Sequence, residues 1–218
     1  MQKNMQITII GGTGYAGSAI AREATKRGHQ VTVISRKEPT DAIQGVTYVA
    51  SDIEHIDTIF AGTDVVVGAL SPCGDNAGKL TQFYKRLTEL AAEAGARLVL
   101  VGGFSCLRRA DGAPRMIEAE EFPAGTPIEI IAEAKENLDV LNNLFVDTTG
   151  VDWLFVSPAL EFSAWTPGKD VGCYRIGGEV ALFDEDGKSA ISGIDYARAI
   201  LDEIEKPTHH RVQIGVAY

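Results

Sequence analysis

Basic residues are in short supply in this chain: 20 lysines and arginines stand against 30 aspartates and glutamates, a formal net charge of -10 in 218 residues. That balance excludes the broad cationic surface needed for nucleic acid or an anionic membrane, so an anionic ligand must find its cations locally. Cysteine is equally sparse. Cys73, Cys106 and Cys173 are odd in number, widely separated and without zinc-type spacing, which points to reduced thiols rather than a disulfide framework. His209-His210 has no cysteine or carboxylate neighbours, and no metal site is expected. No apolar run approaches the roughly 20 residues of a membrane helix. The opening Met1-Gln2-Lys3-Asn4-Met5-Gln6 shows no hydrophobic signal region, so a cytoplasmic location is expected.

What is present is an alternation of strand and helix signals from the first residues onward. Short β-branched runs at 5–10, 30–34, 46–50, 64–68, 97–101 and 151–156 read as strands. Helices are expected at 15–27 and at 76–94, where Leu80, Phe83, Leu87, Leu90 and Ala94 recur at helical spacing before the stop signal Gly95. A third should open with a capping box, Thr126-Pro127-Ile128-Glu129, and run to about 147. The pattern predicts an α/β fold: a single doubly wound, mostly parallel sheet flanked by helices, in one domain spanning 1–218. Residues 157–192 are loop-rich and are expected to form a small C-terminal substrate or lid region. Within and after them the sequence suggests a hairpin of 179–183 and 188–191, a second capping box at Ser192-Gly193-Ile194-Asp195 opening a helix that ends before Pro207, and a last strand at 211–216.

The stretch Gly11-Gly12-Thr13-Gly14-Tyr15-Ala16-Gly17 carries both Gly12-x-Gly14-x-x-Gly17 and Gly11-x-x-Gly14-x-x-Gly17 between the first strand and the first helix. A dinucleotide site of the Rossmann type needs a tight turn, backbone close enough to touch a pyrophosphate, and a helix packed hard against the sheet. The helix then offers free N–H groups and a positive dipole end to the phosphates. About 20 residues on, an NAD site places an acid on the ribose, whereas an NADP site needs a cation for the 2′-phosphate. Ser35-Arg36-Lys37 stands there, so NADP(H) is preferred, with NAD(H) possible; the bland alternative is a solvated basic turn.

In such a sheet the ligand lies across the carboxyl ends of the strands. Asp52 could bond the adenine amine or merely cap its loop, and Ala69 and Leu70 would wall the nicotinamide ribose. Cys73, Phe104, Cys106 and Tyr174, with Trp165, are candidates for the side facing a small-molecule substrate.

Ile9-Ile10-Gly11-Gly12-Thr13-Gly14-Tyr15-Ala16-Gly17, Val101-Gly102-Gly103-Phe104-Ser105, and Tyr174-Arg175-Ile176-Gly177-Gly178 through Ile191-Ser192-Gly193-Ile194-Asp195-Tyr196-Ala197 together resemble the atypical short-chain dehydrogenase/reductases, and within them the NADH-flavin reductase-like subgroup. The resemblance implies an NAD(P)H-dependent reductase. The wider superfamily uses Ser, Tyr and Lys; by position Ser105 matches the serine and Lys135 the lysine, but Ile131 stands where the tyrosine belongs, and isoleucine cannot move a proton. Lys135 also falls in an apparent stripe of Ile128, Ile131, Leu138, Leu141 and Phe145, where a charge needs a cofactor partner or must snorkel to water. Hydride transfer to a flavin, quinone or similar conjugated acceptor can take its proton from solvent, which suits a site without that tyrosine. Two alternatives stay open: a non-catalytic NADP-binding redox sensor, and an NAD-dependent epimerase/dehydratase-like enzyme, the latter short of material for a substrate domain.

Overall fold

The computed structural model describes residues 4–56, 61–120, 122 and 124–218; the opening Met1-Gln2-Lys3 lies outside them. In chain order the elements are β1 (Gln6–Ile10), α1 (Tyr15–Lys26), β2 (Gln30–Ser35), β3 (Val46–Ala50), β4 (Val65–Gly68), α2 (Leu80–Ala94), β5 (Arg97–Val101), α3 (Ile128–Phe145), β6 (Trp153–Ser157), β7 (Arg175–Gly177), α4 (Gly193–Glu205) and β8 (Val212–Ala217). All eight strands join one sheet in the order β3-β2-β1-β4-β5-β6-β8-β7. The mostly parallel α/β architecture expected from the alternation is therefore present. Only β7, at one edge, runs antiparallel to its neighbour.

The sheet is buried on both faces, which is why its central strands read as continuous apolar runs. Val65, Val66 and Val67 of β4 are buried on both sides of the sheet. One face packs against α1 and α4 through Ile20, Ala24, Ile200 and Ile204, the other against α2 and α3 through Leu87, Leu90, Val140 and Leu144. Gly95, at φ 66°, takes the left-handed conformation that ends α2, as its position in the sequence suggested.

The order of strands reverses between β1 and β4. From β1 the chain crosses outward to β2 and β3, then returns to add β4, β5 and β6 on the other side. The connections leaving β1 and β4 diverge there, opening a crevice at the carboxyl ends of the strands. Register brings Ile10, Ile34 and Gly68 level with one another, so the loops that follow β1, β2 and β4 surround one mouth.

Three local expectations are corrected. Helix α3 begins at Ile128, with Pro127 rather than Thr126 at its cap position: Pro127 is extended (φ -56°, ψ 143°) and its carbonyl accepts from the Ile130 and Ile131 N–H groups. The hairpin of 179–183 and 188–191 does not pair with itself. Its turn is present, closed by Asp184, but its two arms bridge elsewhere, Val180 to Arg108 and Ala190 to Glu161. The short β7 instead supplies the antiparallel edge. At the second capping box, Ser192 Oγ accepts from the Asp195 N–H at 3.1 Å as expected, while the Asp195 carboxylate accepts from the Ser192 hydroxyl rather than from its backbone N–H, which donates to Tyr218, and also from the Val171 and Gly172 N–H groups.

Candidate functional site

A cleft of about 630 Å³ lies over the switch point, lined after β1 by Gly11, Thr13, Gly14, Tyr15 and Ala16, after β2 by Ser35 and Arg36, after β4 by Ala69 to Pro72, and from α3 by Ile130, Glu133, Ala134 and Asn137. Its floor is the glycine loop. Gly11 has φ 81°, and a Cβ there would sit 2.6 Å from the Ala69 carbonyl oxygen; at Gly17 a Cβ would sit 2.4 Å from the Gly11 carbonyl oxygen. Those two glycines serve the packing of loop, helix and strand. Gly14 is different. Its φ of -77° suits any residue, and a Cβ would meet only Gly11 O at 3.5 Å, so the fold itself does not require a glycine there.

The N-terminus of α1 is left open toward this space. Gly14 occupies the cap position without a side-chain hydrogen bond, and no acidic residue lies in the first turn. The first backbone N–H groups of a helix have no partner inside it, and with the helix dipole they make a ready anion site. Arg36 stands at the β2 end of the cleft, its guanidinium 3.5 Å from Asp75 across the mouth. A pyrophosphate fits this arrangement of donors and space.

A family model for NAD(P)H-binding proteins matches residues 11–207. The chain belongs to that NAD(P)H-binding family. Among curated proteins it is 33% identical to YwnB of Bacillus subtilis, over 97% of this chain and 98% of that one. Three solved structures share its fold nearly end to end. A putative NADH-flavin reductase from Streptococcus pneumoniae has a TM-score of 0.85 at 30% identity, covering 98% of this chain and 99% of its own. A putative exported protein from Burkholderia pseudomallei has 0.83 at 35%, covering 98% and 100%, and a putative epimerase from Bacteroides thetaiotaomicron has 0.84 at 30%, covering 99% and 98%. These place the chain with the atypical short-chain dehydrogenase/reductases.

Within this NAD(P)H-binding fold, the expected site residues fall into two groups. Gly11, Thr13, Gly14, Tyr15, Ala16, Ser35, Arg36, Asp52, Ala69 and Leu70 line the cleft, as do Phe104 and Ser105. Gly12 and Gly17 lie beneath it, Gly12 against Val33 and Gly17 against Gly11. Several carry local duties as well. Ser35 Oγ donates to the Lys37 carbonyl at 2.5 Å and so fixes the turn that presents Arg36. Asp52 accepts from the Glu54 N–H at 3.3 Å, the capping role open to it from sequence. Leu70 N–H donates to the Tyr84 hydroxyl at 2.9 Å, pinning the wall after β4.

The second group lies outside the cleft. Lys135 is exposed on α3 and does not line it; the buried face of that helix is Ala134, Asn137, Val140, Leu141 and Leu144, while Ile128 is 76% exposed. Cys106 is fully buried beneath its turn, and burial pushes its thiol up to about 12. Tyr174 donates its hydroxyl to Asp202 and faces α4. Trp165 is 93% exposed. Cys73 is exposed and is not among the lining residues, its sulfur 2.8 Å from Ser71 Oγ. Among the described residues no cluster of three or more His, Cys, Asp or Glu side chains could hold a metal, and no helix is long and apolar enough to cross a membrane.

Tyr15 does more than open α1. Its hydroxyl donates to the Pro167 carbonyl at 2.8 Å and accepts from the Gly193 N–H at 2.8 Å, and its ring packs edge-on against Phe162 at 5.0 Å. Pro158, Ala159, Leu160, Phe162, Ser163 and Ala164 complete the cleft wall on that side. Burial raises the Tyr15 hydroxyl pKa despite the Gly193 bond, so it holds its proton as a structural clamp. Glu133 and Asn137, one turn apart on α3, are cleft residues that the sequence reading passed over. Their i, i+4 spacing beside Ala134 was the available signal.

Proposed function

We propose that this protein is an NADPH-dependent oxidoreductase that passes hydride to a small conjugated acceptor such as a flavin or quinone, working in the cytoplasm. The carrying observation is one cleft with an uncapped helix N-terminus and Arg36 at one end, and at the other an α3 wall of Ile130, Glu133, Ala134 and Asn137, with Ile131 and Lys135 outside the lining. NADPH, when bound, supplies the hydride; the protein's part is position and exclusion of water. Backbone N–H groups of Tyr15 and Ala16 would hold the pyrophosphate, Arg36 the 2′-phosphate, and Ala69 and Leu70 the ribose wall. Phe104 and Phe162 would close the acceptor end against solvent, with 157–192 as its lid, and Ser105 would orient the ring. Solvent delivers the proton, as a conjugated acceptor allows.

Fluorescence titration should show NADPH bound at least tenfold more tightly than NADH, and equal affinities would overturn the NADP assignment. Replacing Arg36 with alanine should weaken NADPH by about 10- to 100-fold, the worth of one charge-assisted hydrogen-bonded contact of about 1.5–3 kcal/mol, and leave NADH nearly unchanged. Asp75→Asn should act in the opposite direction. It frees Arg36 from an exposed ion pair worth at most about 1 kcal/mol, so NADPH should tighten by up to about fivefold; weaker binding would show that Asp75 aids the cofactor instead.

A cofactor sensor without turnover is the second reading, favoured by Tyr15, whose hydroxyl is already committed to Pro167 and Gly193. Loss of nicotinamide absorbance on mixing protein, NADPH and riboflavin, FMN or a benzoquinone separates the two. No oxidation above background with any acceptor supports the sensor.

A further inference from the structure

The order of strands sorts the charges of the cleft. Arg36 and Asp52 follow β2 and β3 at one end. At the other, beside β5, β6 and α3, Glu133 is the one charged side chain among the described lining residues; Ser71, Ser105 and Asn137 are neutral. Its place is fixed by its neighbours. Glu136, one turn of backbone along, accepts from the Gly78 and Leu80 N–H groups at 2.6 and 2.9 Å and so ties α3 to the start of α2. Asn137 packs so closely on Gly103 that a Cβ there would touch it at 3.4 Å, and its amide donates to the Glu133 carbonyl at 3.0 Å. The helix is thereby held on two sides, and Glu133 cannot swing out with it.

The Cys73 thiol donates to Glu133 and receives from Ser71 Oγ at 2.8 Å. Burial and the nearby carboxylate both raise that thiol, so it stays protonated and serves as a donor. One thiol satisfies one lone pair of a group with about four acceptor sites. Glu133 itself lines the cleft, where a ligand's donor can reach the other sites.

We propose that Glu133 selects the hydride acceptor: it admits an uncharged conjugated ring bearing an N–H donor, of the isoalloxazine kind, and turns away one that carries a phosphate. The inference rests on the reductase reading and narrows its substrate. A carboxylate accepts strongly from an N–H and repels both a phosphate and the lone pairs of a bare quinone carbonyl. Among the described lining residues no lysine or arginine at this end offsets that repulsion. Glu133 is thus a specificity-determining residue that needs no proton transfer of its own.

The test uses the intact protein saturated with NADP⁺ and reads quenching of flavin fluorescence by riboflavin and by FMN. Wild type should bind riboflavin roughly tenfold more tightly than FMN. Glu133→Gln should bring the two within about threefold, and Glu133→Lys should reverse the order by strengthening FMN, a gain that misfolding cannot produce. Equal binding by wild type, or a ratio unmoved in both variants, overturns the proposal. Oxidation of NADPH by the same flavins is followed separately. Turnover with equal kcat/KM for the two overturns the role of Glu133 and keeps the reductase; a riboflavin preference that shifts with Glu133 but no turnover supports the selection and overturns the reductase.

Discussion

Gly14→Val should leave the protein folded and cost it at least 100-fold in NADPH affinity. The backbone at Gly14 is extended, with φ -77° and ψ 175°, which valine adopts readily. A Cβ there would meet Gly11 O at 3.5 Å, an ordinary contact, so the melting temperature should move by no more than about 2 °C, the shift expected of a substitution that disturbs no packing. The added methyls must then occupy cleft volume that a pyrophosphate needs, and separating phosphate from the α1 N–H groups forfeits two or more charge-assisted bonds of about 1.5–3 kcal/mol each. Gly17→Ala should fail differently. Alanine is the better helix former by about 1 kcal/mol, yet its Cβ would lie 2.4 Å from Gly11 O and 2.7 Å from the Gly12 Cα, both backbone atoms that cannot step aside. Loop and helix must part by about an ångström, so stability and NADPH binding should fall together. Calorimetry paired with fluorescence titration checks both; a Gly14→Val protein that binds NADPH like wild type would show that the open space is not the phosphate site.

This contrast explains what could be read from the chain before its coordinates. The glycine loop is a local device, its demands written within seven residues, and the strands of a sheet buried on both faces announce themselves as apolar runs. Helix α3 was harder. Apolar residues at 128, 130, 131, 134, 138, 140, 141, 144 and 145 support more than one stripe, and reading through Ile131 and Lys135 rotates the helix by about one residue, or 100°. The buried face runs through Ala134, Asn137 and Leu141 instead, which carries Lys135 to solvent and Glu133 to the cleft wall. Proline added to the shift, since Pro127 takes the cap itself and moves Glu129 out of register with Thr126. The arms flanking Asp184 had the right turn but the wrong partners, because Arg108 and Glu161, which bridge them, come from distant stretches of chain. Tyr174 and Cys106 both lie near expected cleft residues in sequence, but the side chains face α4 and the core. Local chemistry was legible, whereas the direction of a side chain set by tertiary packing was not.

Asp195→Ala should lower the melting temperature by about 10 °C and loosen the segment that flanks the cleft. Asp195 is 0% exposed. Its carboxylate accepts from the Val171 and Gly172 N–H groups at 2.9 and 3.1 Å, from Ser192 Oγ at 3.0 Å and from the Tyr218 hydroxyl at 2.7 Å, and it pairs with Arg198, which also holds Asp170. Removing it strands two backbone donors and half the partners of a guanidinium, a loss of about 3–5 kcal/mol, and at about 2–4 °C per kcal/mol for a chain of this size that gives the stated shift. Burial pushes the Asp195 carboxyl up, but the hydrogen bonds and Arg198 outweigh it and hold the group below the usual carboxylate range. A depressed folded pKa means the contribution is complete above the ordinary value near 4 and is lost as pH falls through the lower, folded one. The gap between wild type and Asp195→Ala should therefore be constant from neutral pH down to about 4 and close only in stronger acid. Because the Tyr15 hydroxyl, at the first residue of α1, is bonded to Pro167 in the same segment, the variant should also weaken NADPH severalfold. Proteolysis within 159–178 should quicken alongside, and a variant that melts within 2 °C of wild type with unchanged cleavage would mean that Asp195 does not anchor that segment.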